Sequence, residues 1–459
     1  PGGELYGHAW VLGWVAEAWP ALPLGTDLAL GASERAVIDP LPTWIFAGLS
    51  LGLGTVNAWN LRVLLSLWLT GVALGRLGAL FSGEDRAFGV GAAMGLAMPS
   101  LLGSVISGLT EDFSWGLALW GLGDLWEKRP VRGGLWLGLS AGCGLYLAWM
   151  AAPVALGIGL WRLRAAPARW VAGGLLALGL AGLFAWPFRD RLTTDQPDFG
   201  QHIAREEPLW RLNPWKGSDL ASYGTPGKQR AEVGGEEAMI RQHPSYLGYG
   251  ALALTFAGGL HPVGLGLLGC VGAGAGEDLS WMGKPLGIKN PFWTLLKMLP
   301  MGDRWHHGGR LLILGHSLLA LLAARGMVRL GRPALFRWAP PLLLAEYLLF
   351  SPAVVPLPGT AVQSPEIYSR LNSLPAGPVV VLGAAGPGIH PQKLFFDQRA
   401  HGRRLLHDPD RPGPPPRKLP AGTVVVALGA AESRFRQESV EKWGPPTVES
   451  SDGAAWWRP

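Results

Sequence analysis

The run LLILGHSLLALLAAR (311–325) decides the class of this chain. It is apolar apart from His316 and Ser317, and it meets no charge before Arg325. Such a run reads as a membrane-crossing helix, for which about 20 residues cover the hydrocarbon. Within it, His316 reads as a packed residue facing another helix. Working outward, comparable runs recur near 57–80, 88–107, 113–126, 133–147, 149–162, 170–187, 246–260 and 263–276, and again at 338–353. The run at 42–56 reads either as a re-entrant piece or as the start of the first span. Composition agrees with this reading. The 459 residues are 49% hydrophobic and 16% charged, where soluble domains carry about 25% charged residues. The class is a polytopic helical membrane protein.

The net charge of +6 does not point to nucleic acid, because the basic residues form neither a face nor a tail. They cluster in short loops between apolar runs, as the positive-inside rule expects. With the amino-terminal segment outside the cytoplasm, the inside loops are 81–87, 127–132, 162–169, 261–262 and 326–337. Four of them carry basic residues: Arg86; Lys128, Arg129 and Arg132; Arg162, Arg164 and Arg169; Arg329, Arg332 and Arg337. Outer loops fall at 1–41, 188–245 and 277–310, and with Pro1 outside, a further span is expected before it. The stretch HIAREEPLWRLNPWKGSDL (202–220) reads as an amphipathic segment on the outer leaflet. Cys143 and Cys270 lie in Gly/Leu-rich stretches and read as buried free thiols.

From about Val354 the pattern changes. LPAGPVVVLGAAG (374–386) is echoed by LPAGTVVVALGAAE (419–432). Each Val run is β-branched, short and bounded by Pro and Gly, so each reads as a buried strand. Before the first, SPEIYSRLNSL predicts a helix with Ser364 as N-cap, Pro365 in the first turn and Glu366 behind it. DPDRPGPPPRK (408–418) reads as a proline-rich surface loop. The expected organisation is therefore an all-α polytopic membrane bundle over 1–353, with a small soluble α/β domain over 354–459 outside the cytoplasm.

Candidate site residues come from the outer loops. VVVLGAAGPG has the order G-x-x-G-x-G and no acid at the ribose-binding distance, so a tight turn at a strand end is the better reading. Carboxylates at membrane depth are costly and are usually paired or functional. Glu111 and Asp112 in SGLTEDFSW read either as a solvated turn capping the next helix or as site carboxylates. Glu4 and His8 lie in PGGELYGHAW, and Asp39 precedes Pro40 as in an ordinary turn. MGDRWHHGGR (301–310) is the densest polar cluster beside a span. Arg304 and Arg310 suit a phosphate, and Trp305 with these basic residues equally suits an interface anchor. His306 and His307 are adjacent and lack a third ligand, so they do not compose a metal site.

These segments resemble the bacterial integral-membrane glycosyltransferases of the GT-C type. The resemblance rests on the opening acidic segment, DPLPTWIFAGLSLGLGTVNAWNL, SLLGSVISGLTEDFSWGLALWGL, HPSYLGYGALAL, DRWHHGGRLLILGHSLLALLAARG and KLFFDQRAHGRRL. It implies a GT-C-like bundle of membrane helices in a cell-envelope membrane, the bacterial inner membrane. It also implies a polyprenyl-phosphate-linked sugar as donor and transfer on the outer face. The catalytic acid falls on Glu4, where the family more often carries Asp. A second acid falls on Glu111 or Asp112, and lipid-phosphate contacts fall on Arg304 and Arg310. His8, Asp39, His306 and His307 join the expected substrate-binding set. A divalent metal stays open as a cofactor, and the acceptor (glycan, lipid or protein) is not specified. Two other classes stay open: a transporter or flippase of a lipid-linked substrate, and a non-catalytic lipid-binding relative. Arg62 and Arg76 stand out as charges inside the spans, the feature a transporter would use.

Overall fold

The computed structural model describes residues 4–21, 39–107, 112–162, 166–186, 218–225, 245–282, 284–298, 308–350, 363–382, 393–406, 419–428 and 433–459. They divide into two compact units. One holds Ile38–Pro42 and Asn60–Pro358, and the other holds Pro1–Val37, Thr43–Trp59 and Gly359–Pro459.

Helices make up most of the described chain. Along the chain run α1 (Glu4–Ala18), α2 (Pro40–Leu53), α3 (Thr55–Ser82), α4 (Phe88–Ala97), α5 (Pro99–Ser107), α6 (Asp112–Trp126), α7 (Pro130–Cys143), α8 (Leu145–Arg162) and α9 (Pro167–Ala185). Then come α10 (Tyr249–Ala257), α11 (Val263–Gly274), the strands β1 (Asp278–Trp281) and β2 (Lys284–Lys289), α12 (Pro291–Lys297), α13 (Leu311–Leu330) and α14 (Pro333–Phe350). Among the described residues, five stretches are long and apolar enough to cross a membrane: Thr55–Ser82, Asp85–Val105, Leu145–Arg162, Pro167–Ala185 and Leu311–Leu330. The chain is thus a helical, membrane-associated, multi-pass protein. The other runs expected to span form shorter or less apolar helices. Local chemistry sets their limits. Pro99 splits the run at 88–107 into α4 and α5. Gly54, at φ +77, separates α2 from α3, so the run at 42–56 is a helix of its own. The expected outer loop at 277–310 contains a β-hairpin and α12, so the membrane part is not wholly helical.

Aromatic contacts gather the basic loops at one end of the bundle. Phe81 meets Trp126 at 5.9 Å and His261 at 5.0 Å, and Trp126 meets Trp161 at 5.8 Å. Arg329 donates to the Gly258 carbonyl across α13 and α10. All five loops assigned to one side of the membrane therefore share one end. The opposite end carries the start of α6, α8 and α13, since Ser114 Oγ donates to the carbonyls of Ser140 and Gly144 where α7 closes. Helices approach closely where side chains are small, as in other membrane proteins. A Cβ on Gly134 would lie 2.0 Å from the Gly173 carbonyl, between α7 and α9. His316 is buried, with its ring nitrogens within reach of the Leu312 and Tyr246 carbonyls at 2.7 and 2.9 Å, as a packed residue should be. Both cysteines are buried and free.

The smaller unit contains a four-stranded sheet in the order β3 (Val379–Leu382), β4 (Thr423–Leu428), β6 (Gly453–Arg458), β5 (Val448–Ser450). Helices α15 (Glu366–Arg370), α16 (Lys393–His401) and α17 (Arg434–Trp443) accompany it. The sequence echo becomes the parallel pair β3–β4, in register Val379↔Val424 through Leu382↔Ala427. Its repeated glycines serve different ends. Gly422 takes φ +75, and a Cβ on Gly377 would lie 1.9 Å from the Gly422 carbonyl. The helix at Glu366 begins as expected, but its cap differs. Ser364 donates to Asp397, and the first N–H groups of α15 are accepted by the Asp452 carboxylate, 86 residues along the chain. Burial opposes ionisation of Asp452, yet bonds from Ser450 and from the Glu366 and Ile367 N–H groups hold its pKa below the ordinary value.

The amino-terminal segment expected to be a loop over 1–41 is helical over Glu4–Ala18. Its Trp10 is buried among Ile367, Tyr368, Val379 and Val424, and Leu12 and Val15 are buried as well. Arg399 of α16 lies against Gly13, donates to Thr55 at 2.9 Å and pairs with Glu17 at 3.6 Å. The expected boundaries at 353 and 354 therefore separate residues differently from the packing, which joins α1 to the carboxy-terminal strands. The proline-rich stretch 408–418, the glycine turn 383–392 and most of 188–245 lie outside the described residues.

Candidate functional site

The end of the bundle opposite the basic loops carries an apolar cavity. Helix α8 starts at Leu145, straight after α7 closes, and Pro153 inside it removes one backbone donor. Helix α11 ends beside the first turn of α13, where a Cβ on Gly274 would stand 3.0 Å from Leu312. Between α8, α11, α12 and α13 lies a cavity of about 500 Å³, lined by Trp149, Met150, Cys270, Ala273, Leu295 and Leu311 among other apolar residues. Its wall offers almost no polar atom, so it suits a hydrocarbon chain.

A cation precedes the wall in sequence. Arg310 immediately precedes the lining residue Leu311, and its guanidinium sits 4.7 Å from the centroid of the Tyr146 ring. Tyr146 itself lies one helical turn from Trp149 and Met150 of the wall. A permanently charged, planar donor beside an apolar cavity is chemistry for an amphiphile with an anionic head and an apolar tail.

The other expected residues fall as follows. Asp39 is buried at 2% exposure and is bonded to Arg62, itself buried at 4%. Both are close enough to Cys143 at the end of α7 to act on it electrostatically. Asp39 is thus half of an internal ion pair that joins the residue before α2 to α3. Asp112 is the first residue of α6, at the same end of the bundle as Cys143. Glu4 and His8 lie on α1, in the other unit. The side chains of Glu4, His8 and Asp112, and the whole of Glu111, Arg304, His306 and His307, lie outside the described residues. Among the described residues no three His, Cys, Asp or Glu gather as a metal set.

Two carboxylates inside the apolar runs escaped the sequence reading. Asp124 of α6 is wholly buried and accepts from Arg76 at 2.7 Å, and Glu127 accepts from the same guanidinium at 2.7 Å. Glu346 of α14 accepts from the Tyr246 hydroxyl at 2.8 Å and from the N–H groups of Tyr249 and Gly250, the first residues of α10. It caps that helix from 97 residues away. An acid within an apolar run was the available signal for both.

A further polar cluster is internal to the smaller unit. Buried Asp397 accepts from Lys393 at 2.8 and 2.9 Å and from Ser364 at 2.8 Å. Burial raises its pKa, although Lys393 pulls the other way. His401, 5.1 Å from the Tyr368 ring, is pushed down to about 4 by burial and by Arg403. With each partner already engaged, this cluster ties α16 to the entry of α15. No protein-family model matches the chain, and no curated protein matches it.

Proposed function

We propose that this protein is a membrane glycosyltransferase that moves a sugar from a polyprenyl-phosphate donor to an acceptor hydroxyl on the outer face of a bacterial inner membrane. One observation carries the reading: an apolar cavity of about 500 Å³ whose wall begins at Leu311, directly after the cationic Arg310. A lipid-linked sugar phosphate has that profile of apolar tail and anionic head. A carboxylate base takes the proton of the acceptor hydroxyl as its oxygen bonds to the sugar carbon, a role that the family resemblance assigns to Glu4. The bond from that carbon to the phosphate oxygen breaks, the lipid phosphate leaves with the electron pair, and a single displacement inverts the carbon. Arg310, with Arg304, offsets charge growing on the phosphate.

The test is transfer in proteoliposomes supplied with undecaprenyl phosphate carrying labelled hexoses or pentoses. The parent chain should transfer at least one of these sugars. Glu4→Gln should slow that transfer by about 100-fold or more, the usual contribution of a general base. Equal rates would remove Glu4 from the role, and a parent chain inert towards the whole set would overturn the reading.

A further inference from the structure

The hairpin β1–β2 has a face with no cover. Its register sets Trp281 opposite Lys284 and Asp278 opposite Lys289. Trp281 shares a face with Lys284 beside the turn; further along, a register shift between Asp278 and Ser280, with Gly287 at φ +70, interrupts the alternation, and all six residues of β2 are exposed. Trp281 is 50% exposed, Leu286 45%, Ile288 54% and Met282, at the turn, 56%. In water such a strand pair would be an aggregation hazard, and an isolated two-stranded hairpin is marginal in any case. This one is held at both ends. Asn290 donates its side-chain amide to the carbonyls of Gly272 and Gly276 at 2.6 and 2.7 Å, and its N–H to Glu277 at 2.9 Å. At the turn, the Met282 N–H donates to the Asp219 carboxylate at 3.0 Å. The apolar face is displayed by fixed contacts.

Its level in the bilayer follows from α13. That helix has 20 residues, about 30 Å, which matches the hydrocarbon thickness. Gly274, the last residue of α11, lies beside Leu312 in the first turn of α13. The hairpin therefore leaves the bundle at the rim of the apolar belt. Below it, α11 turns Leu265 and Leu268 outward, and beyond it α12 exposes Phe292, Leu295 and Met298, which also line the open side of the apolar cavity. The free edges of two strands would be costly in hydrocarbon, where no water satisfies them. Their place is the wet headgroup boundary. Lys289 and Lys297 face Glu277 and Asp278, so Lys284 carries the excess positive charge of the hairpin.

We infer that the hairpin is a membrane-interface wedge. Trp281, Met282, Leu286 and Ile288 enter the headgroup–acyl boundary of the leaflet at the Leu311 end, and Lys284 meets lipid phosphates. The partner is the bilayer that the chain crosses, and the inference stands apart from the transfer reaction. Met282→Cys and Leu286→Cys chains, labelled with a polarity-sensitive dye and corrected for labelling of the parent chain, test it. Leu178→Cys, outward on α9 at 72% exposure, is the lipid reference, and Glu441→Cys on α17 is the aqueous one. In vesicles of phosphatidylcholine and phosphatidylglycerol, the hairpin dyes should be quenched by nitroxide lipids at a depth of about 5–10 Å and shielded from iodide. Adding Lys284→Glu should weaken lipid quenching more in anionic vesicles than in phosphatidylcholine alone. Iodide quenching equal to that at Glu441 would overturn the wedge. So would shielding from both quenchers that rises with protein concentration, because a second copy would then cover the face. Equal effects of Lys284→Glu in both lipids would overturn the phosphate contact.

Discussion

Replacing Arg76 by Met should destabilise the bundle by several kcal/mol, and removing Asp124 as well should restore most of the loss. The Arg76 guanidinium holds Asp124 and Glu127 at 2.7 Å each, and the Asp124 side chain is wholly buried. Without Arg76, the ion-pair partner left to Asp124 among the described residues is Arg132, at 3.5 Å and on a side chain 58% exposed. Unit charges about 4 Å apart attract by about 4 kcal/mol at an effective dielectric of about 20. Breaking a buried pair from one side costs about 3–5 kcal/mol, because the remaining charge is stranded. Glu127 adds little, since it can stay with Arg129 at 3.0 Å. The expected loss for Arg76→Met is therefore about 3–4 kcal/mol. Arg76→Met with Asp124→Leu should return to within about 1–2 kcal/mol of the parent, giving a large coupling term. Unfolding in mixed micelles with a rising fraction of dodecyl sulfate measures all four chains of the cycle. A single variant within about 1 kcal/mol of the parent, or additive effects, would refute the reasoning. Arg76 would then lie in a hydrated path, as a transporter requires.

Two further outcomes test the smaller unit. Gly377→Ala puts a Cβ 1.9 Å from the Gly422 carbonyl, so β3 must shift. The expected loss is about 1–3 kcal/mol, with faster amide exchange across Val379–Leu382, and unchanged exchange there would contradict the close approach. His401, held near 4 when folded and near 6.5 when unfolded, makes stability fall as pH drops through that window. The unfolded chain binds the proton first, so the loss begins below about 6.5, completes near the folded value and reaches at most about 3 kcal/mol. Asp397, raised when folded, works in the opposite sense above its unfolded value. His401→Gln should therefore flatten the acid slope in thermal unfolding of the whole chain, and an unchanged slope would assign it to other groups.

What could be read from the sequence was local. Hydropathy located the helices because lipid-facing apolarity is a property of each segment. The LPAG echo located β3 and β4, and its 45-residue spacing is the register in which they pair, Val379↔Val424. Basic loops pointed to a shared end, and the Phe81, Trp126, Trp161 and His261 rings meet there. What failed was long-range. Arg76 and Asp124 are 48 positions apart, and Glu346 caps a helix 97 positions away. No local pattern announces such partners. The cap of α15 shows the same limit: Ser364 had the right spacing, but Asp452 supplies both acceptor oxygens from β5–β6. The run at 88–107 keeps the length and apolarity of a span, but Pro99 breaks it into α4 and α5.

The deepest of these long-range facts concerns α1. Its sequence reads as part of an outer loop over 1–41, yet it is a helix with Trp10 buried beside Tyr368 and Val379. Gly13 reads as a weak point in a helix, but it is the place where the Arg399 guanidinium lies, and any side chain there would displace it. Arg399 also reaches Thr55, across 344 positions, and Glu17 on the helix itself. A general base must sit within hydrogen-bond distance of its proton, so the frame that fixes its helix matters as much as the carboxylate. Under the transfer reading, Glu4 stands at the first turn of a helix whose later turns are fixed by Trp10, Gly13 and Glu17. The carboxy-terminal strands and α16 are then part of the catalytic frame, although in sequence they stand at the far end of the chain.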